Sequence, residues 1–160
     1  MNLDSIDIRI LDILQRDGRA SHSAIAEEVG LTQPSVHERV KKLEQRRVIK
    51  GYTALLNPEA FGLGVLAFIS VRFSGYKTKD VASALDELPH VMEAHHVAGE
   101  DCLLVKVRCR APADLEQVLD KIWNSGPISG TKTTITVTSY KETSAIPLEE
   151  CAPEGETAGV

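Results

Sequence analysis

Six cations, Arg39, Lys41, Lys42, Arg46, Arg47 and Lys50, lie between positions 33 and 52 beside only Glu38 and Glu44, a local net charge of +4 in a chain whose formal net charge is −5. Residues 1–60 hold nine Lys/Arg and nine Asp/Glu, and the remainder holds nine cations and fourteen anions. The acidity of the whole chain therefore does not exclude a polyanionic partner, because phosphate meets local charge. Gln33, Ser35 and His37 precede or interleave with the cations. Their amide, hydroxyl and imidazole groups can pair with the donors and acceptors of base edges.

Other residues invite chemistry less strongly. His95 and His96 are adjacent, so on a strand they point to opposite faces and cannot share one ion; a core or interface role is expected. Cys102, Cys109 and Cys151 are odd in number and contain no CxxC pair, which argues against a disulfide framework or zinc knuckle. The first two lie in an apolar run and are expected as small buried hydrophobes. No Ser/His/Asp set, GxGxxG or P-loop is present, and Gly62-Leu63-Gly64 alone is too little. No metal and no cofactor is expected. No apolar run approaches the ~20 residues of a membrane span, and the first residues lack a secretory pattern. A cytoplasmic protein without a membrane partner is expected.

The elements that must position these residues follow from periodicity. Ile6, Ile10, Ile13 and Leu14 share one helical face, with Asp4 as N-cap and Gly18 as stop. Ser21 caps a second helix that buries Ala24, Ile25 and Val29, and Gly30 supplies the left-handed residue of a turn. Thr32 caps a third helix with Pro34 in its first turn. Val36, Val40 and Leu43 form its inward stripe, which leaves Glu38, Lys41 and Lys42 facing outward. Three short helices with a glycine turn between the last two make a helix-turn-helix over residues 1–50.

Residues 51–64 read as a connector, where Tyr52, Ala54 and Leu56 alternate as a short strand that Asn57-Pro58 breaks. From Val65 the period becomes two. Strands from Val65, at Val91 to Val97, at Leu103 to Cys109 and at Thr131 to Tyr140 enclose two helices. Val81, Ala84, Leu85 and Leu88 mark the first, and Leu115, Val118, Leu119 and Ile122 the second. The order βαββαβ is ferredoxin-like and occupies residues 65–146, so the expected class is α+β. Two helices cover one face of such a sheet. The other, carrying Leu66 and Phe68, calls for self-association. Residues 147–160 are acidic and Pro/Gly-bearing and are expected to be disordered.

From Leu3 to about Leu148 the chain resembles the Lrp/AsnC (feast/famine) regulators. The resemblance rests on Leu3-Asp4-Ser5-Ile6-Asp7 with Ile10-Leu11, Leu14-Gln15-Arg16-Asp17-Gly18-Arg19, Val29-Gly30-Leu31-Thr32 and Arg39-Val40-Lys41-Lys42-Leu43-Glu44. It continues through Val48-Ile49-Lys50-Gly51-Tyr52, Leu56-Asn57-Pro58, Val97-Ala98-Gly99, Thr131-Lys132-Thr133 and Ala145-Ile146-Pro147-Leu148. It implies an N-terminal helix-turn-helix, a C-terminal domain that dimerises through its sheet and often builds octamers, and an amino acid bound near the turn joining the second and third strands. Three departures stand out: Arg47 where Gly is usual, Ala24 where Glu is common, and a turn after Gly99 one residue shorter, so that Glu100 or Asp101 takes the place of the usual Asp.

The implied partners are double-stranded DNA and a small effector, an amino acid. On the DNA side the candidates are Ser21, Thr32, Gln33, Ser35, His37, Glu38, Arg39, Lys41, Lys42 and Lys50. Gln33 and Ser35 would face bases, and Arg39, Lys41, Lys42 and Lys50 phosphates. Glu38 would accept from cytosine or pair with Lys41 or Lys42, and Arg39 could instead make an internal salt bridge. On the effector side the candidates are Ala98, Gly99, Glu100, Asp101, Thr133 and Thr134, against a plain hairpin turn at 99–101. A homodimer assembling to an octamer on the nucleoid completes the expectation. Two rivals remain. One is a tetrapyrrole (siroheme) decarboxylase-like enzyme, similar to a branch of the family and using His95, His96, Arg108 or Arg110; the other is an architectural DNA-binding protein that senses no ligand.

Overall fold

A computed structural model describes residues 3–74 and 78–148. Cys151 and most of the acidic tail lie outside these residues. Two compact units emerge: one runs to Leu55 and takes up the chain again from Glu142, and the other spans Leu56–Lys141.

The helical unit contains α1 (Ser5–Arg16), α2 (His22–Val29) and α3 (Gln33–Gln45). Asp4 caps α1, accepting from the Asp7 N–H, while the Asp7 carboxylate accepts from the Asp4 N–H. This reciprocal capping satisfies two of the donors that a helix start leaves free. Ser21 and Thr32 cap α2 and α3 as expected, and Gly30 takes φ +74 at the turn between them. A left-handed residue there costs glycine little. Ile10, Ile25, Val36, Val40 and Leu43 form the core, and Leu148 from the far end of the chain joins it. The Gln15 amide fastens the same returning segment: its Oε1 accepts from the Ile146 N–H at 2.8 Å and its Nε2 donates to the Ile146 carbonyl at 3.2 Å. The boundary expected at 146 therefore moves to 141. The first described residues of the expected tail, Pro147 and Leu148, belong with the helical core, because Leu148 has an apolar surface to bury.

The sheet unit opens with a 3-10 turn at Pro58–Phe61, within the expected connector. It continues as β1 (Val65–Phe73), α4 (Thr78–Asp86), β2 (Val91–His96), β3 (Leu103–Cys109), α5 (Asp114–Asn124) and β4 (Ile128–Ile135). The strands stand in the order β2-β3-β1-β4 with every pairing antiparallel, as the ferredoxin-like reading requires. Ala67, Ile69 and Val71 of β1 and Leu103, Val105, Val107 and Cys109 of β3 pack against Val81, Leu85, Leu115, Val118 and Ile122 of the two helices. Alternation sends Leu66, Phe68, Ser70 and Arg72, with Leu104, Lys106 and Arg108, to the opposite face.

Two expected strands are corrected. Residues 52–56 form no backbone ladder among the described residues, and Tyr52, Leu55 and Leu56 are exposed; alternation alone makes no strand without a hydrogen-bonding neighbour. β4 begins three residues earlier than expected and ends at Ile135, where β1, its only partner strand among the described residues, has run back to its own first residues. Cys109 is fully buried as expected, whereas Cys102 is only half-buried. Burial, with the nearby Asp114 carboxylate, raises the Cys109 thiol above its ordinary range.

Candidate nucleic-acid interface and sheet site

On α3, the Thr32 hydroxyl accepts from the Ser35 N–H at 3.4 Å and lies 2.8 Å from the Ser35 hydroxyl. Ser21 is likewise engaged, accepting from the Ala24 N–H at 3.2 Å and lying 2.9 Å from the Ser23 hydroxyl. These three hydroxyls set the two helix starts. Gln33, His37, Glu38, Lys41 and Lys42 are all exposed. Lys41, Lys42, Arg46, Arg47 and Lys50 form no ion pair among the described residues, and neither does Glu38, so its expected link to Lys41 or Lys42 is not made. The surface thus offers five exposed cations with their charge uncommitted.

Arg39 differs, and of the two roles considered for it the structure shows the internal one. Its Nη1 lies 2.7 Å from Asp4 Oδ2 and 2.7 Å from Asp7 Oδ1, so it ties α3 to the start of α1. Burial opposes ionisation of Asp4, but the Asp7 N–H and the Arg39 guanidinium outweigh it and hold the carboxyl below its ordinary value. The two carboxylates in turn raise the Arg39 pKa against a smaller effect of burial. A guanidinium already between two carboxylates, and off the outward face, has little left for phosphate.

After α3 the chain turns at Arg47, whose φ of +59 makes it the only non-glycine in the left-handed region among the described residues. Its N–H donates to the Glu44 carbonyl, and those of Val48 and Ile49 donate to Leu43, so the helix end is closed as a glycine would close it. Beyond it, the Tyr52 hydroxyl donates to Glu44 Oε1 at 3.1 Å. Burial and that carboxylate push the phenol up to about 12.

In the sheet unit, the Val97 N–H donates to the Cys102 carbonyl at 3.2 Å and closes a four-residue loop, Ala98–Asp101. Gly99 sits at φ +139, and Ala98, Gly99 and Glu100 are exposed. Asp101 reaches across the sheet end to Arg72, with Oδ1 3.9 Å from Nε. Arg72 in turn lies over Gly130, where an added Cβ would come within 3.0 Å of its guanidinium. Thr133 pairs with Ile69 and Thr134 with Phe68, so the two threonines point to opposite faces and cannot serve one ligand together. Thr134 shares the open face with Phe68, whereas Thr133 shares the helix-covered side with Ile69. The sequence missed Arg72 and Gly130, whose meeting depends on a pairing that no local pattern announces. His95 and His96 pair with Leu104 and Leu103, hence also on opposite faces. His95 stands by Glu93, whose carboxylate accepts from Lys106 Nζ at 3.0 Å and is held below its ordinary value chiefly by that contact.

A capped helix bearing uncommitted cations, ahead of a βαββαβ sheet, defines a two-domain helix-turn-helix protein. The AsnC-type helix-turn-helix domain matches residues 3–44 and the Lrp/AsnC ligand binding domain matches residues 66–146. The chain is 38% identical to the HTH-type transcriptional regulator FL11 of Pyrococcus abyssi, over 93% of this chain and 99% of that one. It is 33% identical to the leucine-responsive regulatory protein of Haemophilus influenzae, over 92% and 91% respectively. Among solved structures, a transcriptional regulator from Neisseria meningitidis in complex with L-Met superposes with a TM-score of 0.88 at 29% identity, covering 94% of this chain and 99% of that one. E. coli AsnC superposes with a TM-score of 0.81 at 28% identity, covering 92% and 100%. The chain belongs to the Lrp/AsnC family of helix-turn-helix transcriptional regulators, and its sheet unit is the family's ligand-binding domain.

Proposed function

We propose that the protein reads double-stranded DNA by laying α3 in the major groove, and that an amino acid bound at its sheet unit changes assembly and thereby DNA affinity. The observation that carries the DNA reading is the division of labour on α3. Arg39 is spent inside the unit, while Lys41, Lys42, Arg46, Arg47 and Lys50 stand exposed and unpaired among the described residues. Gln33 and His37 are the base-edge candidates, with Glu38 accepting from cytosine, and the cations hold phosphates. Ser21, Thr32 and Ser35 hold the helix starts toward the backbone.

The open face of the sheet supports a homodimer, as do the exposed Leu55 and Leu56. A two-fold pair places two recognition helices on a pseudo-palindromic site. Further association into an octamer would add avidity. For the effector, Asp101 or Glu100 would accept from an ammonium, and N–H groups of the Ala98–Gly99 loop with Thr134 would meet a carboxylate. The L-Met complex of the Neisseria regulator supports an amino acid as the ligand class. The relatives are regulators, which favours this reading over a decarboxylase. Such a regulator acts where the chromosome lies, in the cytoplasm.

Fluorescence anisotropy on the DNA upstream of the protein's own gene, across salt concentrations and with pooled amino acids, tests the whole reading. Salt-steep binding that amino acids alter and that Lys41→Glu/Lys42→Glu abolishes is expected. Each lost phosphate contact lowers the salt slope by about one. Binding indifferent to both charge reversals overturns the assignment of α3. Binding that no amino acid alters leaves an architectural protein.

A further inference from the structure

We propose that His22 and His37 form an open two-histidine site for a transition ion of the Zn2+ class on the DNA-reading surface. Their rings lie with centroids 5.2 Å apart and planes tilted by 55°. Two imidazoles bound to one tetrahedral ion, each nitrogen about 2.1 Å from the metal, place their centroids about 5 Å apart. No ring nitrogen of either residue hydrogen-bonds within the described chain, so the lone pairs that a metal needs are not committed. The backbones beneath are already fixed. His22 is the first residue of α2, capped by Ser21, and His37 is in the second turn of α3, capped by Thr32, with Gly30 setting the turn between. Little conformational freedom remains to be lost on binding.

No group of three or more His, Cys, Asp or Glu that could hold a metal occurs among the described residues. A tetrahedral ion held here therefore keeps two positions for water or for an incoming oxygen. His37 stands one helical turn from both Gln33 and Lys41, on the same stripe of α3. A dication at that place adds to the field of the lysines, and a phosphate oxygen can complete its coordination sphere. Zn2+ then strengthens DNA binding. That coupling rests on the DNA reading above, whereas metal binding by itself does not.

The full-length protein, without DNA, is titrated with Zn2+ by calorimetry and with Co2+ by visible absorption. His22→Gln and His37→Gln are compared with wild type, with His95→Gln as the control because it pairs with Glu93 in the sheet unit. Expected are one Zn2+ site, a tetrahedral Co2+ spectrum, and an affinity at least about tenfold lower in each of the first two variants, unchanged in the third. Equal Zn2+ affinity in wild type and in the double variant overturns the site and leaves the rings as an aromatic contact, whose ordinary spacing of about 4.5–7 Å includes this one. Unchanged melting temperatures without metal show that the substitutions leave the fold intact. Anisotropy with and without Zn2+ reads the coupling: tightening in wild type but not in the variants supports it. A bound ion that leaves DNA affinity unchanged overturns the coupling while the site stands. Absence of DNA binding under both conditions sinks the regulator reading alone.

Discussion

In the helical unit Ile10, Ile25 and Val36 are inaccessible to solvent, and Leu148 joins them from the other end of the chain. In the sheet unit Phe68 and Leu104 stand half-exposed on a face that neither α4 nor α5 covers. The first unit completes its core within one chain and turns charge outward, which suits a polyanion. The second leaves Phe68 and Leu104 half-exposed on a face its helices do not cover, which suits the proposed pairing with another copy of itself. The difference separates the two tasks. On the proposed reading, DNA contact can be altered by charge without touching the core, whereas sensing works through association.

The largest expected effect comes from placing a charge on the open face. Phe68→Asp should weaken the proposed dimer by about 3–5 kcal/mol, the cost of an uncompensated buried charge, read by sedimentation equilibrium across protein concentrations. A variant that stays dimeric would move the interface off this face. Next is Leu148→Ala, which removes a side chain 8% exposed from the helical core and should cost about 2 kcal/mol, seen as a lower melting temperature. If stability is unchanged, the returning segment does not hold the unit together.

Arg47→Gly should act in the opposite direction. Relieving a left-handed non-glycine residue is worth about 1 kcal/mol, so melting temperature rises while salt-dependent DNA affinity falls with the lost cation. A rise in both would remove Arg47 from the interface. The smallest effect is that of Asp4→Asn, about 0.5 kcal/mol for a surface ion pair. Because the Asp4 carboxyl is held below its ordinary value in the fold, its contribution is present above about pH 4 and fades as pH falls through the folded value. The gap between variant and wild type in thermal melts should therefore close in acid. A gap independent of pH would mean that the Arg39 pair contributes nothing.

Much of the fold was legible because local rules decide it. Asp4, Ser21 and Thr32 are caps by chemistry, Gly30 is a turn by its missing Cβ, and β1 shows its alternation openly. What escaped was set by distant partners. Tyr52–Leu56 alternates like a strand but has no backbone ladder partner among the described residues, and β4 stops where β1 can no longer pair with it. For Arg39 the sequence left both a phosphate contact and an internal salt bridge open, and only the two carboxylates that α1 brings to it decide for the bridge. The contact of His22 with His37, fifteen positions apart in sequence, exists only once α2 and α3 have turned on Gly30. Thr133 and Thr134, adjacent in sequence, were separated by the pleat.

The return of the chain to Gln15 and the helical core has a practical reach. The sheet unit is an insertion between two parts of the helical one, so a fragment cut at the connector discards a wall of the domain it is meant to isolate. By the same connectivity, a tag or fusion joined directly after Leu148 is carried by the helical unit, although that unit stands first in the sequence. A reporter placed there would sample the protein's contact with DNA, and one meant to follow ligand binding belongs in a loop of the sheet.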